Sequence, residues 1–163
     1  MKKLFVFILM GLFLGLGITS IYAANLSASD LIDQVKNATE VQRVDLANQN
    51  IGTKIKASGT VSEVRPYNAF NETKDTGSMY YQVITEVQNT ANSNPYQVSF
   101  FFKDKTEAEK INKGQAIDLE GTIIKIFDTR LWMALWIFEG DFTAADKDMF
   151  AGEGSLPDIQ KID

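Results

Sequence analysis

The chain has 163 residues, 45% of them hydrophobic, and contains neither Cys nor His. It carries 16 Lys and Arg against 21 Asp and Glu, a formal charge of −5. That length suits one ordinary domain with appendages and the apolar fraction suffices for a core, while the missing residue types exclude disulfides, thiolate nucleophiles, imidazole bases and His- or Cys-ligated zinc.

Lys2 and Lys3 precede an uncharged stretch, residues 4–22, that ends in the small residues Ala23 and Ala24. This order of positive, apolar and small residues predicts a secretory signal peptide over residues 1–23, cleaved after Ala23. The alternative is an inner-membrane anchor formed by residues 4–22, long enough to just span a bilayer but interrupted by Gly11, Gly15 and Gly17. Removing residues 1–23 leaves 14 basic against 21 acidic residues, so the exported chain is acidic and free of disulfides. A bacterial periplasm or cell envelope fits that composition.

Residues 24–50 read as a helical cap. Ser29 or Asp30 can start a helix in which Leu31, Ile32 and Val35 recur at helical spacing. Thr39 and Gln42 form a capping box for a second helix with Val41, Val44 and Leu46 on its apolar side.

Over residues 51–140 the period changes to two. Strands are expected at 54–64, 80–87, 96–102, 115–127 and 131–138, with a short helix after Asp104 between the third and the fourth. Gly59 and Gly121 fall mid-strand, where small barrels need bends. Ile55, Ala57, Val61, Ile117, Leu119 and Ile123 should point inward. Residues 65–79 are expected to be a long loop between the first two strands. Residues 141–163 have six acids and two lysines and read as an acidic, partly flexible tail in which Phe142, Met149 and Phe150 dock one turn.

Five strands with a helix between the third and fourth is the order of the OB fold. The predicted class is thus mainly β, a five-stranded OB-fold barrel preceded by an N-terminal helical cap. The chain further resembles the exported, OB-fold, tRNA_anti-like family. The resemblance rests on residues 50–61 (NIGTKIKASGTV), 98–102 (VSFFF) and 113–123 (KGQAIDLEGTI). It implies the fold; it does not imply tRNA binding, because OB folds take nucleic acids, sugars and proteins alike.

Aromatic residues crowd the second, third and fifth strands. Trp132 and Trp136 fall on one side of the fifth strand, opposite Met133, Leu135 and Ile137. One side is core; the other is an unusually apolar outer face that either binds a partner or lies beneath the N-terminal helices. Tyr67, Phe70, Tyr81, Phe101, Arg130, Trp132 and Trp136 are the candidate binding residues. Nucleic acid is disfavoured, because residues 51–140 hold 10 bases and 11 acids where phosphate binding wants a positive excess. The carboxylate pairs Asp118/Glu120 and Glu107/Glu109 read as solvated, and residues 71–75 lack calcium-loop spacing. Neither catalysis, a metal nor a cofactor is expected. The expected function is non-catalytic binding in the cell envelope, with another envelope protein as partner. The alternative is a small ligand or oligosaccharide in the OB groove, and membrane contact is expected only through an uncleaved signal segment.

Overall fold

The computed structural model describes residues 26–71, 76–129, 131–151 and 161–162. The expected signal segment and Arg130 lie outside them. Helix α1 (Ala28–Asn37) begins at Ser27, whose hydroxyl oxygen accepts the Asp30 N–H at 3.2 Å. The start precedes the expected cap because Ala28 belongs to the same buried face as Leu31, Ile32 and Val35. Helix α2 (Glu40–Asn50) opens on the predicted box, with the Thr39 N–H donating to Gln42 Oε1 at 3.1 Å. Its expected apolar side is weak: Val41 is 76% exposed and Ala47 alone is buried.

The remaining elements are β1 (Lys54–Asn71), β2 (Thr76–Thr85), β3 (Gln88–Asn89), β4 (Pro95–Phe102), α3 (Lys105–Glu109), β5 (Ala116–Thr129), β6 (Met133–Glu139), α4 (Ala144–Ala151) and β7 (Lys161–Ile162). The class is mainly β. Strand β1 pairs with β2 along one part of its length and with β5 along another. Strand β2 pairs with β4, β4 with β6 in parallel, and β6 with β5. The hydrogen bonds therefore close into a ring, β1-β2-β4-β6-β5-β1, to which β3 and β7 attach at β4 and β5.

Closing so small a ring needs tight places. Gly121 faces Ile55 on β1, and a Cβ there would strike the Phe138 carbonyl oxygen and stand 2.6 Å from Ile137 Cγ2 on β6. Register shifts at Val61/Glu63 and Ile123/Lys125 bend β1 and β5. Ile123 and Ile126 point into the ring while Ile124, between them, joins a second cluster outside it.

The ring interior holds the expected inward residues, Ile55, Ala57, Val61, Ile117 and Ile123, with Leu119 packed at its margin. Leu31, Ile32 and Val35 of α1 and Ala108 of α3 enter the same core, so these helices close the ring rather than lie on its outer face. The loop before β4 ties to α1: Asp33 accepts from Thr90, from Asn92 at 2.9 Å and from Asn94 at 2.7 Å.

The expected loop at 65–79 is corrected. Strand β1 runs through Pro66 to Asn71 and β2 starts at Thr76, so the segment is a two-stranded arm. Proline is tolerated there because β5 leaves β1 at Thr60, and the far edge of β1 has no strand partner among the described residues.

Candidate functional site

The outer face of the strands brings three of the candidate residues together, Tyr67, Phe101 and Trp136. Paired residues share a face, so the register Tyr67↔Tyr80 and Arg65↔Gln82 places these four side chains together on β1 and β2. On β4, Phe101 and Ser99 share the face; on β6 it is Trp136, which stands beside Ser99 on one side and Lys125 of β5 on the other. The alternation Gln82/Val83 and Ser99/Phe100 is what sorts polar side chains outward and apolar ones into the ring.

Two rows cross this face. The first is aromatic: Tyr67 meets Phe101 edge-on with centroids 5.0 Å apart, Phe101 meets Trp136 at 4.8 Å, and Trp136 meets Phe127 at 4.9 Å. Such pairs add about 0.5–1.5 kcal/mol each beyond area burial. The Lys125 ammonium closes the row, 4.8 Å from the Phe127 centroid and 5.4 Å from that of Trp136. The bulge at Ile123/Lys125 aims it there. The second row is polar: Arg65 Nε–H donates to Gln82 Oε1 at 3.0 Å, and Gln82 Nε2–H donates to Ser99 Oγ at 3.2 Å.

Helix α4 covers the rest of the face. Phe150 is buried against Tyr80 (4.9 Å between centroids) and Phe101 (5.2 Å), with Phe142 and Met149 packed beside it. Cover by the N-terminal helices, one of the two readings of this face, is corrected: α4, from the segment read as an acidic tail, takes that place. Asp146, at the start of α4, is buried and accepts from Lys103 Nζ at 2.6 Å, from the Tyr80 hydroxyl at 3.1 Å, and from the Thr143 N–H and hydroxyl at 2.8 and 2.6 Å. Burial pushes its carboxyl up, but these four hydrogen bonds outweigh burial and hold it below its ordinary value. Burial and the nearby Asp146 charge push the Tyr80 phenol up to about 12.

Of the candidate residues, Tyr67, Phe101 and Trp136 meet in one cluster. Trp132 is half-buried between β5 and β6. Arg130 lies outside the described residues. Tyr81 faces the ring interior, since its partner Pro66 and not Tyr67 shares its side. Phe70 shares that side but stands beyond the ring, 46% exposed, diagonal to Met79 at 50%. Sequence reasoning missed Gln82, Ser99, Phe127 and Asp146. Isolated polar residues at alternate positions of apolar strands were the available signal for the first two.

The carboxylates considered for catalysis do not converge. Glu107 pairs with Lys110 at 2.6 Å and Glu109 with Lys105 at 3.3 Å, all exposed. Asp118 and Glu120 are exposed opposite Ser58 and Lys56. Among the described residues no group of three or more acids is placed to hold a metal ion, and no helix is long and apolar enough to cross a membrane.

No family model and no curated protein matches the chain, so the family resemblance rests on the quoted residues alone. Among solved structures, the chain is similar to a Klebsiella pneumoniae lipoprotein with a proposed nucleic-acid-binding role. The two share 16% identity over 69% of this chain and 86% of that one, with a TM-score of 0.46.

Proposed function

We propose that this chain is an exported OB-fold barrel that works as a non-catalytic binding module of the cell envelope, docking another envelope protein through the arm made by the ends of β1 and β2. One observation carries the reading. The strand side that lines the ring interior at Val64, Val83 and Tyr81 continues past the ring as Pro66, Asn68, Phe70 and Met79, all exposed and three of the four apolar. An apolar side that outlasts the core it serves is what a docking surface needs. The ring order and the helix between β4 and β5 support the OB assignment, and the signal-like residues 1–23 support export.

Exposed Arg65, held by buried Gln82 and Ser99 on the same face as half-buried Trp136, favours a second reading, an oligosaccharide or small ligand held by stacking and guanidinium hydrogen bonds. The near-balance of charge argues against nucleic acid.

In-cell crosslinking with the full chain separates these. A discrete envelope protein captured by the wild type and by Trp136→Ala, and lost in Phe70→Ser/Met79→Ser, supports the docking module. Absence of any protein partner, with glycan binding that Trp136→Ala abolishes, replaces it by the second reading.

A further inference from the structure

The arm has little of its own to hold it. Beyond Tyr81↔Phe102, the last pair of β2 with β4, and beyond Thr60↔Ala116, the last of β1 with β5, the two arm strands pair only with each other among the described residues. An isolated two-stranded ribbon is marginal in water at best. Something else must order it.

Asp146 sits where the strands part. Continuing the β2–β4 register by one step would pair Tyr80 with Lys103, and it is these two side chains that donate to the Asp146 carboxylate, at 3.1 and 2.6 Å. Phe150, one helical turn further along the same side of α4, repeats the bridge with rings. It reaches Tyr67 and Tyr80 on the arm, and Phe101 and Phe138 on the ring.

We propose that α4 is a clamp across this fork: Asp146 and Phe150 each join arm to ring, so the order and direction of the arm are set by the seating of α4. Taking the arm as the docking element, which rests on the reading above, anything that lifts α4 unfixes the surface offered to the partner. Binding at Phe70 and Met79 and the seating of α4 are then two ends of one equilibrium.

Amide hydrogen exchange on the full chain tests the clamp without a partner. In Asp146→Ala and in Phe150→Ala, exchange over residues 66–80 and 143–151 should rise together by about tenfold or more, while β5 and β6 keep wild-type protection. Lys103→Met, at a side chain 47% exposed, should do the same to a smaller extent in a fully folded protein. Faster exchange in α4 with an unchanged arm overturns the proposal, and so does a uniform rise over ring and arm in Lys103→Met. Coupled exchange in a protein that captures no partner would leave the clamp standing and remove the docking reading instead.

Discussion

Lys36 and Asp128 stand 2.6 Å apart, joining the last turn of α1 to the end of β5 across 92 positions of sequence. The pair is half-buried, and Arg43 of α2 adds a 3.4 Å contact to the same carboxylate while its other donors cap the Lys36 and Ala38 carbonyls at 3.1 Å. One acid therefore pins both N-terminal helices. Asp128→Ala leaves two cations facing no acid there and should cost about 1–2 kcal/mol. Thermal melts should show Tm lowered by a few degrees, with the wild-type advantage shrinking in 1 M salt as screening takes over. Equal Tm values at low salt would show that apolar packing of α1 alone seats the helices.

Gly121 should be the least replaceable glycine of the ring. An added methyl meets the β6 backbone at Phe138, and backbone in a hydrogen-bond ladder cannot swing aside as a side chain can. Gly121→Ala should lose about 2 kcal/mol or more, read from urea unfolding at constant m. Gly114, at φ +81 with open space around it, bears only the cost of a left-handed backbone, about 1 kcal/mol when replaced by Ala. The reverse ranking would mean that β5 and β6 can part without cost.

Asp146 and Tyr80 bound the stability on opposite sides of neutrality. The Asp146 carboxyl is lower in the folded state than in the unfolded one, so its contribution is full above the ordinary aspartate range and is lost as pH falls through the folded value. The Tyr80 phenol is raised, from 10.0 to about 12, so its contribution is full below pH 10 and is lost as pH climbs toward 12. Asp146 faces Lys103, Thr143 and Tyr80, and Tyr80 faces Asp146 and Ser78. A pH series of melts should show Asp146→Asn flattening the acid limb and Tyr80→Phe the alkaline one. An acid limb unchanged in Asp146→Asn would assign acid sensitivity elsewhere, with Asp33 the next candidate because Thr90, Asn94 and Asn92 outweigh its burial and lower its carboxyl too.

What was legible in the chain was local. Alternation marked the ring strands, the Thr39–Gln42 box marked α2, and the Asp104 cap marked α3, where Asp104 Oδ1 accepts the Thr106 N–H at 2.7 Å. What was hidden depends on partners far along the chain. Nothing near Pro66 says that β1 and β2 run on as a pair past the ring, so the arm read as a loop. Nothing near Asp146 says that an acid among acids is buried, because its donors Tyr80 and Lys103 lie on other elements. The candidate aromatic site was half legible for the same reason: alternation separates two faces, but only the closed ring tells which face α4 will cover.

Phe100 and Phe101 make the sharpest test of that two-sidedness. They are neighbours on β4, both fully buried, and they point into different cores. Phe100 belongs to the ring interior with Val98, Leu135 and Ile137; Phe101 belongs to the outer cluster with Tyr67, Trp136 and Phe150. Truncating either to Ala should cost about 3–5 kcal/mol in global unfolding. Their local signatures should differ. Phe101→Ala removes the platform beneath Phe150, so protease nicking within residues 143–151 should speed up well below the melting transition. Phe100→Ala should leave that segment as resistant as in wild type until the whole ring opens. Identical nicking patterns for the two variants would mean that the outer cluster does not seat α4 independently of the core behind it.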